Sequence, residues 1–343
     1  MTNPMKCAVY YNNRDIRLKE IPVPEIGPDE VLVQMHACGI CGSDVLEWYR
    51  VKKAPLVLGH EMTGQIAEVG KNIKRYKVGD RVFVSHHVPC NTCHYCLNGH
   101  YTVCDTLRNT NFDPGGFAQF IRMPEINVDR GLFLLPDEIS YEEGTFIEPL
   151  ACVLRGQKSA HLKPGQTVFI IGGGIAGLLH LKLARALGAS SVVVTDIHEK
   201  RLVFAQRFGA KAAFLADDTA PEHLKEANNG RLADVVIVAA GAGEAIHMAW
   251  KTIDRGGTVL IFAPTEPGID IDLPLYDIWH DGITITTCYG GSPADISEAI
   301  KLIRSKNITV KDMITHRFPL ARAEEGFSLV EKAQDSIKVI IEP

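Results

Sequence analysis

Thr167-Val168-Phe169-Ile170-Ile171-Gly172-Gly173-Gly174-Ile175-Ala176-Gly177 is the stretch whose reading decides the fold. Five β-branched or apolar residues read as a buried strand, the glycines as a tight turn, and Ile175 as the first residue of a helix. Gly172, Gly174 and Gly177 stand at the G-x-G-x-x-G spacing, and the strand–turn–helix setting gives that spacing its meaning. Free N–H groups and the dipole at such a helix N-terminus favour a pyrophosphate. A second strand, Val192 to Thr195, follows, and Asp196 stands 19 residues after Gly177. That is the distance expected of a carboxylate that accepts from the adenosine ribose hydroxyls. The same carboxylate repels a 2′-phosphate, so NAD is expected in preference to NADP.

Downstream the alternation continues. Glu199 to Phe208 reads as a helix stopped by Gly209, and Ala212 to Leu215, Val235 to Ala239, Thr258 to Phe262 and Ile283 to Thr287 read as strands. Strands alternating with helices predict an α/β domain with a doubly wound parallel sheet. Upstream the texture is different. Lys6 to Tyr10, Glu30 to Ala37, Thr63 to Val69 and Arg81 to Ser85 are short alternating strands broken by Gly and Pro, with Val78-Gly79-Asp80 as a turn. The tail has helices over Asp295 to Ile303 and Ala321 to Lys332, and a last alternating strand over Ser336 to Ile341. That strand needs a partner, and the irregular first domain is the expected host. The dinucleotide domain (residues 153–292) is therefore expected to interrupt a mostly β domain made of residues 1–152 and 293–343.

Length and charge narrow the function classes. A chain of 343 residues suits two cores better than one. A net charge of −5 without a Lys/Arg-rich block argues against nucleic acid as a partner. No run approaches the roughly 20 apolar residues of a membrane helix, since His180, Lys182 and Arg185 interrupt the most apolar helical stretch. The N-terminus lacks the order of a signal peptide, so a cytoplasmic protein with a small-molecule substrate is expected.

Four of the nine cysteines crowd together. Cys90, Cys93, Cys96 and Cys104 form C-x2-C-x2-C-x7-C, and a chain of this size has no need of disulfides. Tetrahedral Zn²⁺ takes four thiolates at about 2.3 Å, and with all four positions filled the role is structural. An iron–sulfur cluster uses similar spacing, but a dinucleotide already accounts for redox work. His86, His87, His94 and His100 are read as solvent-facing or hydrogen-bonded loop residues. Cys7, Cys38, Cys152 and Cys288 are read as ordinary buried thiols.

A second, sparser set lies on glycine-flanked loops: Cys41 in Gly39-Ile40-Cys41-Gly42-Ser43-Asp44, and His60 and Glu61 in Gly59-His60-Glu61. Sulfur and imidazole are what a catalytic zinc prefers, and glycines allow close backbone approach. Glu148, in Glu148-Pro149-Leu150, is a carboxylate in an apolar segment, where burial costs dearly unless it is paired or ligated. It also suits the first turn of a helix.

The run from Gly59 to Ile73, through Gly64 and Gly70, fits G-H-E-x2-G-x5-G-x2-[IVSAC] at every fixed position. With the Cys41 loop, the four-cysteine lobe and the glycine turn, the chain resembles the zinc-containing medium-chain alcohol dehydrogenase family over almost its full length. Glu148-Pro149-Leu150 resembles the sorbitol (L-iditol) and other polyol dehydrogenase branch. The resemblance implies a GroES-like irregular β domain beside the Rossmann sheet, and two zinc ions per chain. It also implies a homodimer or homotetramer, with the Ile283–Thr287 strand able to extend the sheet across a two-fold axis. It puts Cys41, His60 and a carboxylate on the catalytic zinc, with either Glu61 or Glu148 direct and the other reached through water.

The implied reaction is oxidation of a secondary hydroxyl of a polyol or sugar alcohol to a ketone by hydride transfer to NAD. Ser43 matches the family's hydroxyl relay, and Arg201 a position at the adenosine ribose. There are departures. Leu46 stands where the relay usually continues to a histidine. The Cys41–His60 loop is short and carries Trp48, Tyr49 and Arg50, while Tyr289 falls near positions that contact substrate in the branch. L-threonine 3-dehydrogenase is the nearest rival. A catalytically silent protein of the same fold would be expected to lose the open ligands, and this chain keeps them.

Overall fold

The computed structural model describes residues 4–333 and 335–343. Two compact units divide the chain: residues up to Ala151 together with Gly291–Pro343, and the uninterrupted stretch Cys152–Gly290.

The uninterrupted unit is built on the opening stretch. Thr167–Ile171 is a strand buried at every residue, as a strand covered on both faces must be. It lies inside a six-stranded parallel sheet. In spatial order the strands are Ala212–Leu215, Ser191–Asp196, Thr167–Ile171, Ala233–Val238, Ile253–Ile261 and Thr284–Thr287. Numbered along the chain this order is three, two, one, four, five, six, the doubly wound topology. Val193 sits opposite both Phe169 and Ala212, and Val236 opposite both Phe169 and Val259. Phe169, Val193, Val236 and Val259 are fully buried, each contributing about 1.5–3 kcal/mol over an exposed side chain. The helices Ile175–Ala186 and Glu199–Arg207 connect the first three strands. The strand Ile253–Ile261 begins before the expected Thr258, because Asp254, Arg255, Gly256 and Gly257 extend it through an irregular register.

The split unit carries a seven-stranded sheet. Its central strand, Val31–Gly39, pairs antiparallel with Glu61–Val69, Phe120–Met123 and Lys338–Glu342. The terminal strand finds the partner expected of it, with Ile340 opposite Gly39 and Ile341 opposite Cys38. It also pairs in parallel with Ile314–Pro319. A separate small sheet contains the hairpin Pro4–Asn12 with Asp15–Pro22. Tyr10, Met35, Phe117, Phe327 and Ile341 belong to the core of this unit. Short helices, among them Glu47–Arg50, Asp105–Asn109 and Glu125–Gly131, interrupt what the sequence suggests is mostly β. Of the four cysteines read as buried thiols, Cys7 and Cys38 are buried, whereas Cys152 and Cys288 are half-buried. Among the described residues no helix is long and apolar enough to cross a membrane.

Candidate metal centres and cofactor site

The lobe between Cys90 and Cys104 places all four sulfurs within 4.8 Å of one another. Sγ of Cys90 lies 3.6 Å from that of Cys104 and 4.0 Å from that of Cys96. A tetrahedron with Zn–S bonds of about 2.3 Å has edges of about 3.8 Å, so the cage has the right size for zinc. Backbone N–H groups of Thr92 and Cys93 donate to Cys90 Sγ at 3.5 and 3.2 Å. These bonds, Thr92's first, lower the Cys90 thiol to about 5. Cys96 is pushed the other way, to about 12, by burial and then by its neighbouring thiols. Four thiolates packed this closely require a cation or protons, which is the condition a structural zinc meets. His94 and His100 are exposed, as expected.

The open set is built on two elements. Cys41 caps a turn of 3-10 helix, Gly42–Val45, and its Sγ accepts from Ser43 N at 3.4 Å. His60 and Glu61 lie at the start of the Glu61–Val69 strand. Gly59, just before them, has φ +92°, and a Cβ there would stand 2.9 Å from both Cys38 Sγ and Phe117 N. Only glycine lets the chain turn His60 inward at this point. One ligand atom each from Cys41, His60 and Glu61 fall within 4.8 Å of one another. Among the described residues no fourth ligand joins this group, and thiolate, imidazole and carboxylate with one position free is the donor set of an open zinc site.

Glu148 lies outside that group. It is the second residue of the helix Ile147–Ser159 and half-buried.

The surroundings hold the three candidate ligands in place, and here sequence reasoning missed residues. Asp44, fully buried, lies 3.4 Å from Nδ1 of His60 through Oδ1, and its Oδ2 accepts from Cys41 N at 3.1 Å. A carboxylate on Nδ1 leaves Nε2 for a metal and fixes the ring. Burial works to raise Asp44, but the charge and hydrogen bond of His60, with Arg50, hold it below the usual carboxylate range. Burial works to lower His60, and Asp44 and Cys41 outweigh it, raising the imidazole well above its ordinary value.

Lys338 comes from the terminal strand. Its Nζ pairs with Oε2 of Glu61 and donates to Thr145 O at 3.1 Å, and both side chains of the ion pair are only 1% exposed. The Phe146 ring lies 4.8 Å from the same ammonium. His86 and His87 lie in a loop, as expected, but are half-buried beside His60 rather than solvent-facing. The His86 ring centroid is 4.9 Å from that of His60 and 3.8 Å from that of His87. Burial, and then the charge of His60, lowers His87 to about 4, so this side of the site is neutral at pH 7.

In the uninterrupted unit, Gly172 has φ +108° and a Cβ on Gly177 would stand 1.8 Å from Gly172 O. The tight turn thus requires Gly172 and Gly177, and the helix enters at Gly174 and Ile175. Asp196 ends its strand, 4% exposed. Oδ2 accepts from Gly173 N at 2.7 Å and Oδ1 from His198 N at 2.8 Å, which anchors the carboxylate beside the glycine turn. Arg201 Nη1 lies 3.3 Å from Asp196 Oδ2, and a Cβ on Gly174 would meet the guanidinium at 3.8 Å. Gly172, Gly174, Ile175, Gly177, Asp196 and Arg201 therefore share one locality. Tyr289, in the same unit, is 45% exposed.

Comparison with known proteins agrees with this chemistry. The family pattern described as the alcohol dehydrogenase GroES-like domain matches residues 27–136, and the zinc-binding dehydrogenase pattern matches residues 176–305. Sorbitol dehydrogenase of Bacillus subtilis is 33% identical over 99% of this chain and 97% of its own length. Sorbitol dehydrogenase of Mus musculus is 34% identical over 97% of this chain and 94% of its own. Among solved structures, a zinc-binding dehydrogenase of Sinorhizobium meliloti bound to NADP superposes with a TM-score of 0.88. It is 28% identical, and the match covers 100% of both chains.

Proposed function

Because the chain belongs to the zinc-binding alcohol dehydrogenase family with a GroES-like domain, we propose that it oxidises a secondary hydroxyl of a polyol to a ketone, with NAD as hydride acceptor. The observation that carries the reading is the open Cys41, His60 and Glu61 group in a chain that also holds a closed four-thiolate cage and a glycine turn for a dinucleotide. The two relatives named sorbitol dehydrogenase support a polyol as substrate.

Cys41, His60 and Glu61 would hold the catalytic zinc, and Cys90, Cys93, Cys96 and Cys104 the structural one. The catalytic ion supplies Lewis acidity, lowering the pKa of a hydroxyl bound to it. Asp44 keeps the His60 ring in one orientation, and Lys338 does the same for the Glu61 carboxylate. Ser43 presents a hydroxyl two residues from Cys41, and Glu148, outside the three-residue group, would act on the ion only through water. Asp196 takes the ribose hydroxyls, supported by Arg201, and its charge is the argument for NAD.

The finer reading of the assembly is a cytoplasmic homodimer or homotetramer. Thr284–Thr287 is an edge strand, and Leu275, Tyr276 and Trp279, on the helix just before it, are 70%, 69% and 74% exposed. An open edge beside exposed apolar side chains favours pairing with a second copy.

A panel of hexitols, pentitols and L-threonine, each with NAD and with NADP, tests the reading. A polyol with NAD is expected to give the highest kcat/KM. Threonine as the sole good substrate, or a preference for NADP, contradicts it.

A further inference from the structure

Ser43 sits in a more constrained setting than a turn serine needs. Arg50 donates through Nε to the Ser43 carbonyl at 2.9 Å and through Nη2 to Ser43 Oγ at 3.0 Å. The same Nη2 lies 3.3 Å from Asp44 Oδ1. The guanidinium lies over the Tyr49 ring, 4.7 Å from its centroid, and the Arg50 side chain is 15% exposed. Two donations to one residue, a packed aromatic face and a buried carboxylate hold the guanidinium plane in a single orientation.

The chemistry of the pair is one-directional. A guanidinium has five N–H donors, no acceptor, and a charge that persists at every working pH. Ser43 Oγ therefore receives a hydrogen from Arg50 and cannot return its own. Its proton must be given to another acceptor. Accepting from a cation also polarises the O–H bond and strengthens the donation it makes onward. The residue three positions beyond Ser43 is Leu46, which can neither accept nor pass a proton.

We infer that Arg50 is a positioning residue for alcohol oxidation, acting through Ser43. By occupying one lone pair of Oγ with a permanent donor, it directs the serine proton at the substrate oxygen and strengthens that hydrogen bond as negative charge develops there. Arg50 itself neither gains nor loses a proton. The substrate loses its hydroxyl proton to solvent and a hydride to the nicotinamide, so only substrate and cofactor change oxidation state. This role rests on the dehydrogenase reading above.

Asp44 offers Arg50 a competing route, since it also touches His60. A double-mutant cycle of Arg50→Met and Ser43→Ala on the full zinc-loaded chain separates the two, with zinc counted after denaturation as a readout independent of turnover. Arg50→Met is expected to lower kcat about 10- to 100-fold, the usual scale for loss of orientation, with KM moving less than about threefold. In the Ser43→Ala background the same change should cost less than about threefold, since the partner is already gone. Zinc should stay at the parent's content throughout. Arg50→Gln keeps a neutral donor and should fall between parent and Arg50→Met, which also covers the case where methionine is not tolerated. Losses that multiply in the double variant, or loss of zinc on changing Arg50, overturn the role and assign Arg50 to Asp44 instead. A parent chain that oxidises no alcohol sinks both this role and the function it rests on. Parent turnover with multiplying losses sinks only this one.

Discussion

Replacing Lys338 by Met keeps most of the side-chain volume and removes one buried charge. In the native protein that ammonium pairs with Glu61, donates to Thr145 O at 3.1 Å and faces the Phe146 ring, with both charged side chains 1% exposed. Without it, Glu61 is an uncompensated carboxylate in a dry site, a change that costs about 3–5 kcal/mol when one partner of a buried pair is removed. A zinc ion on Glu61 would replace the lost positive charge. The expected loss is therefore about 3–5 kcal/mol in metal-free protein and less than half of that with zinc bound. Urea unfolding of chelated and zinc-saturated samples measures both, taking the transition that shifts with zinc as that of the split unit. Glu61→Gln combined with Lys338→Met should recover most of the loss, because a neutral amide needs no counter-charge. Equal stability of Lys338→Met and parent in the metal-free state refutes the electrostatic argument. An equal loss with and without zinc refutes Glu61 as a ligand.

The remaining predictions concern the dinucleotide unit. His180 is fully buried and held down to about 3 by burial, against about 6.5 in an unfolded chain. Between those values the unfolded state binds a proton that the folded state refuses, so the neutral ring's stabilisation is complete above pH 6.5 and is lost as pH falls. The loss amounts to about 2 kcal/mol at pH 5. A pH series of unfolding midpoints should show it, and His180→Phe should flatten the curve over that interval. An unchanged slope counts against the assignment. Asp196→Ser removes a charged hydrogen-bond acceptor for the ribose and should raise KM for NAD about 10- to 100-fold. It should also raise the ratio of kcat/KM with NADP to that with NAD. A ratio that stays put means the carboxylate does not select the cofactor.

The two units differ in how openly the sequence declares them. Parallel strands covered on both faces demand unbroken β-branched runs, so Thr167–Ile171 and Ser191–Asp196 are visible without any tertiary knowledge. The hairpin strand Asp15–Pro22 is not, because Arg17, Leu18, Lys19 and Glu20 are all exposed and leave no apolar alternation to read. The candidate metal ligands are legible for a chemical reason: thiols at short spacing and a glycine-framed His60-Glu61 pair have few other uses. Their supports were harder. Lys338 looks like an ordinary solvent-facing lysine in an alternating strand, and its partner lies 277 residues away, so nothing local announces its burial. Asp44 did leave a signal, since a histidine on a metal usually gives its second nitrogen to a carboxylate, and Asp44 was the nearest acid to Cys41. The packing of the loop residues His86 and His87 beside His60 is not legible, because it depends on where the strand Arg81–Val84 ends, a matter of register rather than composition.

Two metal centres with separate duties form the core of the account, and zinc counted per chain alongside turnover tests it most directly. The active parent should hold two zinc ions. Cys41→Ser should hold one and lose oxidation of its substrate, whereas Cys96→Ser should lose the other ion and stability before it loses chemistry. An active parent with one zinc or none, or a Cys41→Ser chain that keeps both its metal content and its activity, would contradict the account.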